Sequence, residues 1–302
     1  MVEKSQYTNI LKLVFKIVFS TAAVYYIVSH LDVKQVGNAI KEMNPAYIVY
    51  ALVLYTISQI GSSFRLNHLF KAIDLNLRVW PNIKLYWLGM FYNFFLPGGV
   101  GGDGYKIFYL RKYFKAPVKK LLGAVFADRL SGLSIIVIYL LGLAYYIEYD
   151  LPYQGWVFLL IPLVSGGYYL FLWIFNRALT KAYWPVSLWS IVVQGLQMVA
   201  VICLLKGMGG QIKGHWDDYM FLFFLSTIAS AIPITLGGIG ARELVFMKGA
   251  SLLGVNIEQA VAISLLFYLC TLVSALPGVY YAVRTNRIFG NMNLEYDKHI
   301  NT

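Results

Sequence analysis

The chain has 302 residues, 59% of them hydrophobic and 17% aromatic, with a mean hydropathy of +0.63. Soluble domains are about 45–50% apolar, so composition excludes an ordinary soluble domain and defines a polytopic membrane protein. The formal charge of +11, from 25 Lys+Arg against 14 Asp+Glu, falls on no soluble segment long enough to bind nucleic acid, and is read as a topology signal and an attraction to anionic headgroups.

A helix needs about 20 apolar residues to cross a bilayer. The first such run, 11–29, lacks a small-residue cleavage site and is read as a retained span rather than a signal peptide. Next, "LDVKQVGNAIKEMNP" sets Val33, Val36, Ile40 and Met43 at helical spacing with Lys34, Lys41 and Glu42 elsewhere, which predicts an amphipathic helix on the membrane surface. Full-length runs follow at 46–64, 121–147, 153–175, 185–205 and 260–283. Two shorter runs, 83–96 and 218–232, each end in a glycine cluster and are read as half-helices. Trp80, Trp156 and Trp184 sit near span ends, as interfacial anchors do. Cys203 and Cys270 both lie inside apolar runs, which argues against a disulfide framework.

Lys and Arg accumulate on the cytoplasmic side. The N-terminus, the connection with Arg65, Lys71, Arg78 and Lys84, and the segment from Lys106 to Lys120 all read as cytoplasmic, whereas the acidic "EYDLP" at 148–152 reads as outside. The first short run then has basic flanks at both ends and dips in and returns; the second re-enters from outside. The expected fold is all-α, with six transmembrane helices, two re-entrant half-helices and both termini cytoplasmic. Eight full crossings is the competing arrangement, because short helices span where the bilayer thins. Arg65, at the end of a span, reads as an orientation anchor.

Placing Gly98-Gly99-Val100-Gly101 over Gly237-Gly238-Ile239-Gly240 gives an offset of 139 residues, close to half the chain. The halves, about 1–150 and 151–302 of one membrane domain, then form an inverted repeat, a transporter design in which broken helices meet near the midplane and their free ends bind the charged part of the cargo. Glycine suits the break because it tolerates positive φ and lets the backbone approach a ligand; a helix N-terminus favours an anion such as phosphate. Gly98, Gly99, Gly101, Gly102, Gly237, Gly238 and Gly240 are the candidate cradle residues. Asp103 and Glu243 begin the following helices and either cap them or line the path. "GVGGDG" matches a dinucleotide-binding spacing but follows an apolar half-helix rather than a strand, so the match carries no such function.

Asp128 and Arg129 lie about two turns into a long apolar run. A charge near the bilayer centre costs about 2.5–3.5 kcal/mol on insertion scales, so the pair either marks a pathway or sits at interfacial depth with Arg129 snorkelling. Arg242, after "GGIGA", is the leading candidate for a phosphate contact because a guanidinium bonds two oxygens at once. Lys106 and Arg111 match it in the first half, or belong to a solvated basic loop. The four histidines are scattered, and neither a metal nor another cofactor is expected.

The runs "LPGGVGGDGYKIFYL", "ADRLSGL" and "PITLGGIGARELVF" together resemble the transmembrane, flippase-like region of the lysylphosphatidylglycerol synthase family. The resemblance covers nearly the whole chain and implies a domain that moves lipids between leaflets of a prokaryotic cell membrane. Larger members add a cytosolic aminoacyl-transferase domain; the run to Thr302 leaves no room for it, so lysyl transfer is not expected. Asp103, Asp128, Arg129, Arg242 and Glu243 match the family's motifs, while Lys106 stands where the family commonly has arginine. The expected cargo is an anionic phospholipid or a polyisoprenyl phosphate. An intramembrane lipid-modifying or glycosyl-transfer-associated enzyme and a small-solute secondary transporter are the other readings. Membrane phospholipids are the expected partners, with a separate lipid-modifying enzyme as a second; oligomeric state is open.

Overall fold

The structure is a computed structural model that describes residues 25–26, 29, 33–95, 101–146, 154–209, 215–232, 240–284 and 286–289. Most of the first predicted span, and "EYDLP", lie outside the described residues. All regular structure among the described residues is helical.

The amphipathic segment forms α1 (Val33–Lys41), with Val36 and Met43 buried and Lys34 and Lys41 exposed. Asn44 caps the start of the next helix: its Oδ1 accepts the Ala46 N–H at 3.0 Å, and Pro45 follows at the first helical position. α2 (Pro45–Ala72) runs a full two turns beyond the apolar stretch seen in sequence. α3 (Val79–Phe95) and α4 (Gly101–Phe114) form the first helical hairpin, and α5 (Val118–Ala144) the next long helix.

Gln154–Leu159 is a 3₁₀ turn leading into α6 (Leu160–Phe175), and a second, Arg177–Ala182, leads into α7 (Tyr183–Gly207). α8 (Trp216–Ala231) and α9 (Ala241–Leu253) make the second hairpin. α9 stops at Gly254, whose φ of 71° is the left-handed cap that glycine supplies without strain. Asn256 then caps α10 (Ile257–Ala275), which passes through Pro277 into α11 (Pro277–Val283), before the short α12 (Asn286–Phe289).

Five stretches among the described residues are long and apolar enough to cross a membrane: Pro45–Ala72, Val118–Ala144, Val157–Phe175, Arg177–Gly207 and Ile257–Val283. They match the five full-length runs after the first. α3 and α8 have 17 and 16 residues, and so reach about 25 Å at 1.5 Å per residue, short of a hydrocarbon core of about 30 Å.

Helix starts at Pro45, Val79, Gly101 and Val118 are followed about 139 residues later by starts at Tyr183, Trp216, Ala241 and Ile257. The packing repeats as well. α2 and α7 form the most extensive helix pair; α5 packs on α7 as α10 packs on α2; and α5 meets α8 as α10 meets α3. Close approach of α2 to α7 depends on small side chains, Gly61 facing Val193 and Trp189 while Ser58 and Ser190 are fully buried. The rim is apolar: Leu163 and Ile174 on α6 are each 69% exposed, as residues in contact with lipid tails would be. Trp80 and Trp184 are exposed near helix starts, where belt residues stand.

Candidate functional site

The first hairpin is closed by glycine packing. A Cβ on Gly102 would run into the Gly89 carbonyl, so α4 lies directly on the α3 backbone, and the Gly102 N–H donates to Asn93 Oδ1 at 2.9 Å. Gly101 is half-buried beside it. Gly102 therefore brings two helices together and has no amide hydrogen left for an anion. This tight seat points Asp103 and Lys106 inward, where both are buried and paired through Lys106 Nζ and Asp103 Oδ1 at 3.1 Å. The ammonium also stands 4.3 Å over the Tyr86 ring, a cation–π contact that offsets part of its desolvation. Lys106 is thus a helical, buried residue rather than part of a solvated loop.

Asp103 has a second cation. Arg129 on α5 donates from Nε to Asp103 Oδ2 across the gap between the hairpin and α5. Its sequence neighbour Asp128 turns to another helix and takes a two-point fork from Arg65, Nε to Oδ1 at 2.7 Å and Nη2 to Oδ2 at 3.1 Å. The third guanidinium nitrogen, Nη1, donates to Ser190 on α7 at 3.3 Å, and Ser190 lies 3.1 Å from the Ser131 hydroxyl. Arg65 is 6% exposed. Its reading as an orientation anchor is overturned, because the helix and the burial both continue past it. Three cations, Arg65, Lys106 and Arg129, thus meet two acids, Asp103 and Asp128.

Beside this cluster lies a cavity of about 450 Å³. Its walls are largely apolar, with Phe126, Leu130, Leu133 and Ile136 from α5, while Arg65 and Arg129 supply the charge. Gln194 and Thr227 complete the polar side, and the Gln194 Oε1 is buried without a hydrogen-bond partner. Phe126 is 54% exposed and Ala231 is exposed, so the cavity opens on the apolar rim of the molecule.

The second hairpin holds the other charges. Gly240 has φ 87°, which L side chains rarely adopt, and its N–H donates to Glu243 Oε2 at 2.8 Å. Glu243 is buried and takes a second bond from the Ser264 hydroxyl to Oε1 at 3.0 Å. The capping alternative therefore describes Glu243, with α10 pinned to it. Arg242, its neighbour, is 7% exposed, and its Nε and Nη2 are buried without a hydrogen-bond partner. The guanidinium lies 5.2 Å from the centre of the Phe267 ring. One residue on, Tyr268 meets Phe94 at the end of α3 edge-on with centroids 5.6 Å apart, so the end of the first hairpin helix reaches the surroundings of Arg242.

Of the residues singled out in the sequence, the structure joins Asp103, Lys106, Asp128 and Arg129 in one cluster and places Arg242 and Glu243 in another. Gly98, Gly99, Gly237 and Gly238 lie outside the described residues. Ser190 and Gln194 carried no separate signal; Arg65 stood out only as the arginine closing an apolar run, and the continued helical spacing of "RLNHLFKA" hinted that the helix extends around it.

Helices long enough to cross a bilayer, with buried charges both on them and on the short helices packed between them, define a polytopic integral membrane protein with a polar centre. Residues 13–183 and 175–278 match the family described as the lysylphosphatidylglycerol synthase TM region, and the chain belongs to that family. It is also similar to a phosphatidylglycerol lysyltransferase from Staphylococcus haemolyticus (strain JCSC1435), at 24% identity over 280 residues, which is 88% of this chain and 32% of that protein. The chain thus spans about a third of the length of this curated relative.

Proposed function

We propose that this chain is a lipid translocase of the cell membrane: it takes an anionic phospholipid or a polyisoprenyl phosphate from one leaflet, holds the phosphate at arginines inside the helix bundle, and releases the lipid in the other. The observation that carries this reading is the cavity beside Arg65 and Arg129, apolar along most of its wall, charged at one side and open to the rim. Such a space suits an amphiphile. Acyl chain lies along Phe126, Leu130 and Leu133, while phosphate meets Arg129 and a headgroup hydroxyl donates to the unpartnered Gln194 Oε1.

Arg242 gives a further cation in the second hairpin, buried without a fixed hydrogen-bond partner at Nε or Nη2. In this reading the two hairpins are re-entrant, and the halves form an inverted repeat about the α2–α7 pair; the matched helix starts and reciprocal packing support it. Six spans, with both termini in the cytoplasm of a prokaryotic cell, complete the proposal. Its relationship to a lysyltransferase supports a lipid cargo with a phosphate headgroup.

The test is lipid movement in proteoliposomes carrying headgroup-labelled phosphatidylglycerol, with an impermeant quencher added outside. Wild-type protein is expected to abolish the quencher-protected fraction, and Arg129→Gln to restore it. Full protection with wild type across both anionic and polyisoprenyl phosphate cargoes would overturn the reading.

A further inference from the structure

We infer that Asp103 is a resident counter-anion: its carboxylate occupies the place at Arg129 that the phosphate of a lipid headgroup takes, and loading is an exchange of one anion for the other. The inference rests on the reading of the cavity as an anionic lipid site.

Two buried acid–cation arrangements sit side by side, and they differ in what they can release. Asp128 is held by both prongs of Arg65, whose remaining nitrogen is on Ser190, so each nitrogen of that guanidinium makes a hydrogen bond and its removal would strand a buried carboxylate. Asp103 is held by two separate cations. Lys106 is 5% exposed, fixed over Tyr86 and three residues away on the same helix, so it keeps Asp103 neutralised when the other cation turns away. Arg129 is the side chain able to turn: it is 36% exposed, forms part of the cavity wall, and approaches Asp103 from a different helix.

The count of charge agrees. Among the described residues three cations meet two acids in the cluster, a net charge of +1 that a single phosphodiester anion brings to zero without expelling any protein group. The exchange also has a mechanical consequence. The Arg129–Asp103 pair ties the first hairpin to α5, and a phosphate that takes Arg129 releases that tie, so occupancy of the cavity is coupled to the freedom of α3 and α4. Asp103 then sets a threshold: a ligand must bind Arg129 better than the carboxylate does, which neutral and zwitterionic lipids do less well than anionic ones.

The experiment is equilibrium binding to the purified full chain in nanodiscs of zwitterionic lipid. The probes are dihexanoyl phosphatidylglycerol, dihexanoyl phosphatidylcholine, and glycerol 3-phosphate as a chain-free phosphate. Asp103→Asn removes the competing carboxylate, and Asp103→Asn combined with Lys106→Gln does so without changing the net charge of the cluster. Both are expected to bind the phosphatidylglycerol probe at least about tenfold more tightly than wild type, the factor expected when a charge-assisted hydrogen bond no longer competes. Arg129→Gln is expected to lose the gain in either background, and glycerol 3-phosphate to bind more weakly than the lipid throughout.

A gain in affinity is not what structural damage produces, so the readout separates exchange from a packing role. Wild-type or weaker affinity in a folded double variant would overturn the inference while leaving the anionic site intact. Glycerol 3-phosphate binding as tightly as the lipid would overturn the assignment of the ligand to lipid. Absence of saturable binding by every protein, wild type included, would overturn the cavity reading on which the inference stands.

Discussion

Arg65 and Asp128, 63 residues apart in sequence, meet through two parallel hydrogen bonds of 2.7 and 3.1 Å between α2 and α5, with both side chains below 10% exposure. Desolvating two charges costs several kcal/mol per ion, and the fork repays this only while both partners remain. Arg65→Gln or Asp128→Asn alone is therefore expected to lower stability by about 3–5 kcal/mol. The pair replacement Arg65→Met with Asp128→Leu is expected to recover most of that loss. Thermal unfolding in detergent checks both statements; single variants as stable as wild type would show that the fork contributes nothing to the fold.

Two glycines two residues apart on α4 make opposite predictions. Gly102→Ala sets a methyl into the Gly89 carbonyl, which no side-chain rotation relieves, and is expected to cost about 1–3 kcal/mol and to splay the α3–α4 hairpin. Gly104 is exposed and has nothing within 4 Å of where its Cβ would stand. Gly104→Ala is therefore expected to stabilise the helix by about 0.5–1 kcal/mol. The comparison is made by melting temperature, and the same change in both variants would sink the packing role assigned to Gly102.

These residues mark where sequence reading succeeded and where it stopped. Each full-length apolar run after the first became a helix of the expected kind, because burial in lipid leaves a one-dimensional signature about 20 residues long. The two shorter apolar runs also became helices, Val79–Phe95 and Trp216–Ala231, each followed by a second short helix. Charge pairing left no such trace. Asp128 and Arg129 are adjacent and opposite in sign, yet each pairs with a residue of another helix, at separations of 63 and 26 residues. Arg65 ends an apolar run but not its helix, and only α5 and α7 packed around it reveal that it is buried. The amide of Gly102 was likewise a candidate anion donor until the approach of Asn93 put it to another use.

Arg242 bears a desolvated charge whose Nε and Nη2 have no hydrogen-bond partner, an arrangement that costs stability unless something binds there. Arg242→Leu is expected to leave the protein as stable as wild type or up to about 3 kcal/mol more stable, while movement of anionic lipid falls to the level of protein-free liposomes. Arg242→Lys keeps the charge but loses the planar fork, and is expected to transport at an intermediate rate. Stability and quencher protection measured on the same preparations decide the matter: a destabilised, fully active Arg242→Leu would make the residue structural.

Whether α3 re-enters or crosses decides which side of the membrane receives the basic stretch Arg111, Lys112, Lys115, Lys119 and Lys120. All five are exposed on the structure. If α3 and α4 form the re-entrant hairpin proposed here, these residues share the cytoplasm with Lys71 at the end of α2 and Lys84 near the start of α3. If α3 crosses instead, they stand outside, against the bias of positive charge toward the cytoplasm. A single cysteine at position 115, in a chain with Cys203→Ser and Cys270→Ser, reports the side through an impermeant maleimide. The substitution suits the purpose because Lys115 is exposed and lies just beyond the last residue of α4, so neither packing nor helix is disturbed. Labelling only after the membrane is opened is the expected result. Labelling of intact cells would convert both short helices toward full crossings and would remove the midplane meeting of hairpin ends on which the translocation pathway depends.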